Sequence, residues 1–196
     1  MAPELYLITP AEADAPDFGS RLMAVLSASP AAAILVRRAS LDERTYARLV
    51  ADVVNIGQGA GAAVLVEDDV ALAKRLGADG VHVTGGLEAA REAVSALKPD
   101  LIVGAGNIRS RHDAMSFGEL GIDYLLFGPL GGDTDPKAAE LASWWAETFE
   151  IPAVLSDPGA TTLDAAGAEF LALSTSIWSA PAPADALKAV LAEAST

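Results

Sequence analysis

The chain has 196 residues, 52% hydrophobic and 20% charged, which is enough apolar material for one buried core and too much for a disordered chain. Its formal net charge of −14 is repelled by phosphate backbones and anionic lipid, which argues against nucleic acid and membrane surfaces as partners. With no cysteine, it can form no disulfide, thiolate metal site or thiol nucleophile, and this fits a reducing cytoplasm.

Met1–Pro10 carries Glu4 and no basic residue, so no cleaved secretion signal is expected. The apolar runs are too short and too broken to span a bilayer. In chain order, Leu5–Thr9 and Ala33–Arg37 read as the first two strands. Leu41–Gly57 follows, with Leu41, Tyr46, Leu49, Val50 and Val53 at helical spacing. Ala63–Val66 and Gly80–Val83 are the next strands. Leu87–Leu97 carries Leu87, Ala90, Val94 and Leu97 on one helical face and stops at Lys98-Pro99. Leu101–Gly106, Tyr124–Gly128, Ala153–Ser156 and Phe170–Thr175 complete the strands, and Asp185–Ala194 predicts a last helix. Continuous apolar runs of this length suit strands buried on both faces, as in a parallel sheet. Eight such runs, each followed by a helical segment, predict a closed (β/α)8 TIM barrel: α/β, compact, with short loops. The whole chain, 1–196, then forms one domain, and an open doubly wound sheet is the alternative.

In such a barrel the residues at the C-terminal ends of the strands point into the site. Glu67-Asp68-Asp69 gathers carboxylates at a strand end, where they could hold a hard cation such as Mg²⁺; alternatively, Asp69 caps the next helix. Arg37 ends a buried strand and must meet a ligand phosphate or an acidic partner such as Glu67 or Asp68. His82 is a general base or a satisfied core group, while His112 reads as part of a solvated helix start. Thr84 and Asn107 follow the fourth and fifth strands, and Asp133 lies in the glycine-rich loop after the sixth. Backbone amides around Asp157, Gly159, Thr175 and Ser176 suit an anion, though the Asp157 charge opposes one. There is no Gly-x-x-x-x-Gly-Lys-Ser/Thr, and Gly104-Ala105-Gly106 lacks the third glycine of a dinucleotide fingerprint. Trp144, Trp145 and Phe149 lie on one helix as packing residues, or as a homodimer contact if Trp144 is exposed.

Several motifs fall in order along the chain. Val64-Leu65-Val66-Glu67-Asp68-Asp69-Val70-Ala71-Leu72-Ala73 precedes Gly77-Ala78-Asp79-Gly80-Val81-His82-Val83. Leu5-Tyr6-Leu7-Ile8-Thr9, Gly121-Ile122-Asp123-Tyr124, Ile151-Pro152-Ala153-Val154 and Gly167-Ala168-Glu169-Phe170 support them. With these motifs the chain resembles the thiamine phosphate synthases and their thiazole tautomerase relatives along nearly its whole length. The resemblance implies a small barrel that joins a pyrimidine diphosphate to a thiazole phosphate, releasing pyrophosphate with Mg²⁺. It implies Arg37 and Asp68 as catalytic residues, Asp68 also as a Mg²⁺ ligand, and Thr175 near the product phosphate. Thr134 falls in the sixth-strand loop motif, and Lys137 stands next to the motif's lysine position.

The chain also departs from the family pattern. Leu35 and Ala39 replace a glutamine and a lysine around Arg37, and Glu67 replaces an asparagine. Leu87 falls near the second metal aspartate, Gly106-Asn107-Ile108 replaces Ser-Thr-His, and Asp157-Pro158 replaces a phosphate-holding Gly-Gly. Three readings follow. The first is a Mg²⁺-dependent transferase of this type, acting on a phosphorylated or heterocyclic small molecule. The second is a catalytically diverged or inactive paralogue that binds a small metabolite or serves as a regulatory subunit. The third is a structural partner protein using the Trp144–Phe149 helix.

Overall fold

The computed structural model describes residues 2–192. Eight parallel strands close into a barrel in chain order, with β1 hydrogen-bonded to both β2 and β8. They are β1 (Glu4–Ile8), β2 (Ala33–Val36), β3 (Ala63–Glu67), β4 (Gly80–Val83), β5 (Ile102–Ala105), β6 (Tyr124–Phe127), β7 (Ala153–Ser156) and β8 (Phe170–Leu173). The first six connections carry α1 (Phe18–Ala28), α2 (Glu43–Gly59), α3 (Val70–Leu76), α4 (Leu87–Leu97), α5 (Arg111–Gly118) and α6 (Pro136–Thr148). The single turn α7 (Thr175–Trp178) and α8 (Pro183–Ala192) follow β8. The closed ring is the expected (β/α)8 barrel rather than an open sheet.

The alternation expected from sequence breaks once: residues 157–169, between β7 and β8, contain no helix. Pro158, Gly159 and Gly167 disfavour a helix interior, and the stretch lacks an apolar repeat that would bind a helix to the barrel. The strands also stop earlier than the apolar runs do. Thr9, Arg37, Gly106, Gly128, Ser174 and Thr175 lie just past the ladders, at the barrel mouth. Helix α2 runs two residues beyond Gly57, and α8 starts two residues before Asp185. The expected end of that last helix, 193–194, lies outside the described residues.

Helix starts follow capping chemistry. The side chains of Asp42, Asp69, Ser110 and Asp135 accept from amides in the first turns of α2, α3, α5 and α6. Between barrel and helices lies the main apolar core, including Leu7, Ile34, Val64, Leu125, Leu22 and Trp145. A smaller cluster fills the barrel itself, with Tyr6, Ile8, Leu35, Leu65, Tyr124 and Leu126. Trp144 is partly buried and packs on the main core, with the Arg111 guanidinium 4.8 Å over its ring. Among the described residues no helix is long and apolar enough to cross a membrane.

One device recurs at the N-terminal end of the barrel. Gly77, Gly121 and Gly167 take positive φ, which turns the chain into the next strand, and an acid follows two residues later. Each acid reaches back to an amide of the preceding strand. Asp79 Oδ2 accepts from Val64 N at 2.7 Å, Asp123 Oδ2 from Val103 N at 2.8 Å, and Glu169 Oε2 from Ala153 N at 2.8 Å. The Gly-x-Asp/Glu repeat is therefore a strand latch, far from the mouth. Replacing Asp123 by Ala strands the amide of the fully buried Val103 and breaks the Lys98 ion pair. The expected cost is about 1–3 kcal/mol. It should appear as a lower urea midpoint with an unchanged denaturant slope.

Candidate functional site

The C-terminal ends of the strands present four separate groups of polar side chains. The first surrounds Arg37. Its amide donates to Thr9 Oγ1 at 2.9 Å, which fixes the chain as it leaves β2. Its side chain lines a hollow of about 340 Å³ with Arg21, Gly131, Gly132, Ser174 and Thr175, and Glu12 is also on its wall. A Cβ at Gly131 would lie 2.6 Å from Arg37 Nη1, so the guanidinium occupies the space that glycine leaves. Among the described residues Arg37 makes no ion pair with Glu67, Asp68 or any other carboxylate. Arg21 was missed from the sequence. It reaches the hollow from α1 and donates to Trp178 O, and nothing in helical spacing marks a surface arginine as facing a strand end.

The second group is Glu67, Asp68 and Thr84. Glu67 Oε2 accepts from Arg38 N at 2.6 Å, and Glu67 N donates to Tyr46 Oη at 2.9 Å. Burial pushes the Glu67 carboxyl above its ordinary pKa, and the neighbouring Asp68 charge adds to this; the Arg38 amide and the Arg37 and Arg38 charges pull the other way. Asp68 has positive φ, which turns its carboxylate onto the β4 loop. It accepts from Thr84 N at 2.7 Å and from Thr84 Oγ1. Asp69 caps α3 and lies 3.9 Å from Arg38. Arg37 and Asp68 thus face different hollows, with Glu67 coupled to both charges.

These residues do not make a Mg²⁺ site by themselves. Mg²⁺ takes octahedral oxygen ligands, one or two of them protein carboxylates. Asp68, held by Thr84, keeps lone pairs free on its carboxylate, but Leu87 supplies no side-chain oxygen where the second aspartate is expected. Among the described residues no three of His, Asp and Glu cluster as a metal site.

The third group joins Asp157, Thr134, Gly159 and Ser176. Thr134 Oγ1 donates to Asp157 Oδ1 at 2.5 Å, and a Cβ on Gly159 would come 3.4 Å from Thr134 Oγ1. Ser176 N donates to Pro158 O at 2.7 Å, and its buried hydroxyl has no partner among the described residues. The fourth holds Asn107 and Lys137, which line a hollow with Arg109 and Asp135. Lys137 therefore stands apart from the hollow lined by Arg37. Asp133 is exposed on the loop between them.

His82 lies below all four groups, fully buried inside the barrel. Its Nδ1 is 2.8 Å from Tyr124 Oη, which is 2.9 Å from Tyr6 Oη. Burial lowers the His82 pKa from 6.5 to about 4, against the opposing pull of the Asp68 charge, so the ring is neutral at pH 7. Among the described residues its Nε2 has no partner; it abuts Gly106, where a Cβ would lie 2.6 Å away.

The family model for thiamine monophosphate synthase matches residues 5–177. The thiamine-phosphate synthase of Erythrobacter litoralis is 36% identical over 189 residues, covering 90% of this chain and 88% of that one. The thiamine-phosphate synthase of Rhodospirillum centenum is 37% identical over 187 residues, covering 91% and 90%. Among solved structures, the thiamine phosphate pyrophosphorylase from Pyrococcus furiosus superposes with a TM-score of 0.77 at 22% identity, over 95% of this chain and 93% of that one. That last likeness speaks for the fold alone.

The buried imidazole makes stability depend on pH. As pH falls, the unfolded chain takes up a proton near 6.5, while the folded His82 resists protonation until about 4. Its contribution is present above pH 6.5 and is lost as pH drops to about 4, up to about 3 kcal/mol. In urea titrations from pH 7 to pH 4, His82→Leu should show a shallower loss of stability than the parent chain.

Proposed function

The chain belongs to the thiamine monophosphate synthase family, and on that premise we propose that it is a transferase of the thiamine phosphate synthase type whose phosphorylated substrate binds at Arg37. The observation that carries this reading is the state of that guanidinium. It sits at the mouth, in no ion pair among the described residues, beside a second arginine, the Thr175 hydroxyl and, on the same wall, Glu12. A planar cation held this way suits the oxygens of a phosphate or diphosphate. Arg37 would bind the anion and stabilise the charge that builds on departing pyrophosphate. Arg21 would add charge, and Thr175 a hydroxyl donor. Asp68 acts through Thr84, shaping the β4 loop. Asn107, Lys137, Asp133, Thr134, Asp157, Gly159 and Ser176 form the outer rim, where they meet the rest of the substrate. A cytoplasmic location goes with this biosynthetic reading.

The Mg²⁺ that the resemblance implies is the weaker part. Leu87, at the place of the second metal aspartate, favours a second reading, in which the protein binds a phosphorylated metabolite without joining the two substrates. Purified protein given both substrates, with and without Mg²⁺, separates the two. Thiamine phosphate formation supports the transferase, and binding without product supports the diverged paralogue.

Both readings require the Arg37 hollow. One charge-assisted hydrogen bond to phosphate contributes roughly 1.5–3 kcal/mol, so Arg37→Ala should weaken pyrophosphate binding by about 10- to 100-fold in calorimetry. Arg21→Ala should weaken it less, because that side chain also donates to Trp178 O. Pyrophosphate binding unaffected by Arg37→Ala would sink both readings.

A further inference from the structure

At the other end of the barrel from Arg37, the N-terminal ends of the strands surround a second cavity of about 310 Å³. Its walls are Ala33, Leu65, Ile102, Val154 and Phe170. Small residues at Ala33 and Ala63 leave the space unfilled. The buried Tyr6 and Tyr124 close its inner end, and Glu4 and Asp123 stand at its rim. No Lys or Arg lines it. Asp123 is paired with Lys98, whereas Glu4 is exposed and makes no ion pair among the described residues. The volume lies at the low end of small-molecule sites, about 300–1,000 Å³.

The inner end has unused hydrogen-bonding capacity. Tyr6, Tyr124 and neutral His82 carry three protons between them, and the two hydrogen bonds of the chain use two. The third sits at His82 Nε2 beneath Gly106, or on a hydroxyl of Tyr6 or Tyr124, the two residues that close the cavity. Nε2 has no acceptor among the described residues, so a ligand that accepts from a tyrosine hydroxyl gives the spare donor a partner.

We propose that this cavity is a second small-molecule site, taking a flat apolar organic cation that places its ammonium at Glu4 and a hydrogen-bond acceptor at the Tyr6–Tyr124 hydroxyls. The apolar walls exclude a sugar or a free phosphate, and the rim carboxylates repel an anion. When the ligand accepts from a tyrosine, the His82 proton shifts to Nδ1 and Nε2 becomes an acceptor beneath the mouth. Occupancy at one end of the barrel is then reported at the other.

The probe is 4-methoxybenzylammonium, which has a ring, a methoxy acceptor and an ammonium at opposite ends. The chain has only two histidines, so imidazole ¹⁵N NMR resolves His82 from His112. Titration of the intact protein should move the His82 signals to saturation at one equivalent bound and leave those of His112 in place. Glu4→Gln should weaken binding several-fold. Ala33→Leu fills the cavity and should abolish binding while the circular dichroism spectrum is retained. The anion 4-methoxyphenylacetate should not bind. The absence of a saturable His82 shift would overturn the proposal. So would equal affinity for the anion, or full affinity in Ala33→Leu; if that variant does not fold, Glu4→Gln and the anion decide. None of these outcomes depends on pyrophosphate binding at Arg37.

Discussion

A parallel barrel must close without leaving buried amides unpaired, and here carboxylates just before three of the four even strands help to meet that constraint. Asp79, Asp123 and Glu169 each stand one residue before β4, β6 or β8 and satisfy an amide of the strand before. A buried N–H without a partner costs as much as a lost hydrogen bond, so these three bonds set where the strands begin. Strand register then determines which residues face the axis and which reach the mouth. Arg37, Glu67 and His82 owe their positions to that register.

The barrel interior shows how backbone space and side-chain bulk are matched. Gly104 leaves room for the Tyr124 ring, where a Cβ would lie 2.0 Å from Cζ, and Gly106 leaves room for His82. The two aromatic rings stack with centroids 5.7 Å apart. Polar atoms this deep are held because each tyrosine hydroxyl finds another polar atom. Among the described residues His82 Nε2 is left without a partner, beneath Gly106.

At the mouth, charge is arranged in separate compartments. Arg37 and Arg21 share one hollow, while Glu67 and Asp68 turn to backbone amides and to Thr84. Burial raises the Glu67 pKa, and the Asp68 charge adds to this, while the Arg38 amide and the Arg37 and Arg38 charges lower it. In an acidic chain of net charge −14, hydrogen bonds within the fold hold Glu67 on the Arg38 amide and Asp68 on Thr84, and neither pairs with Arg37.

Sequence alone was sufficient for the barrel. Eight continuous apolar runs separated by helical segments call for a parallel sheet, their number favours closure over an open sheet, and Pro, Gly and capping residues mark the joints. It also named Arg37 and Asp68, because residues that follow buried strands must emerge at one end. The β7–β8 link was misread as helical because the rule of alternation outweighed Pro158 and Gly159. Tertiary structure alone decided which polar side chains meet. Arg21 comes to Arg37 from a helix, Asp68 turns to Thr84 instead, and Lys137 falls into a neighbouring hollow. Such pairings depend on side-chain direction across several strands, and a linear pattern of residue types holds no record of that direction.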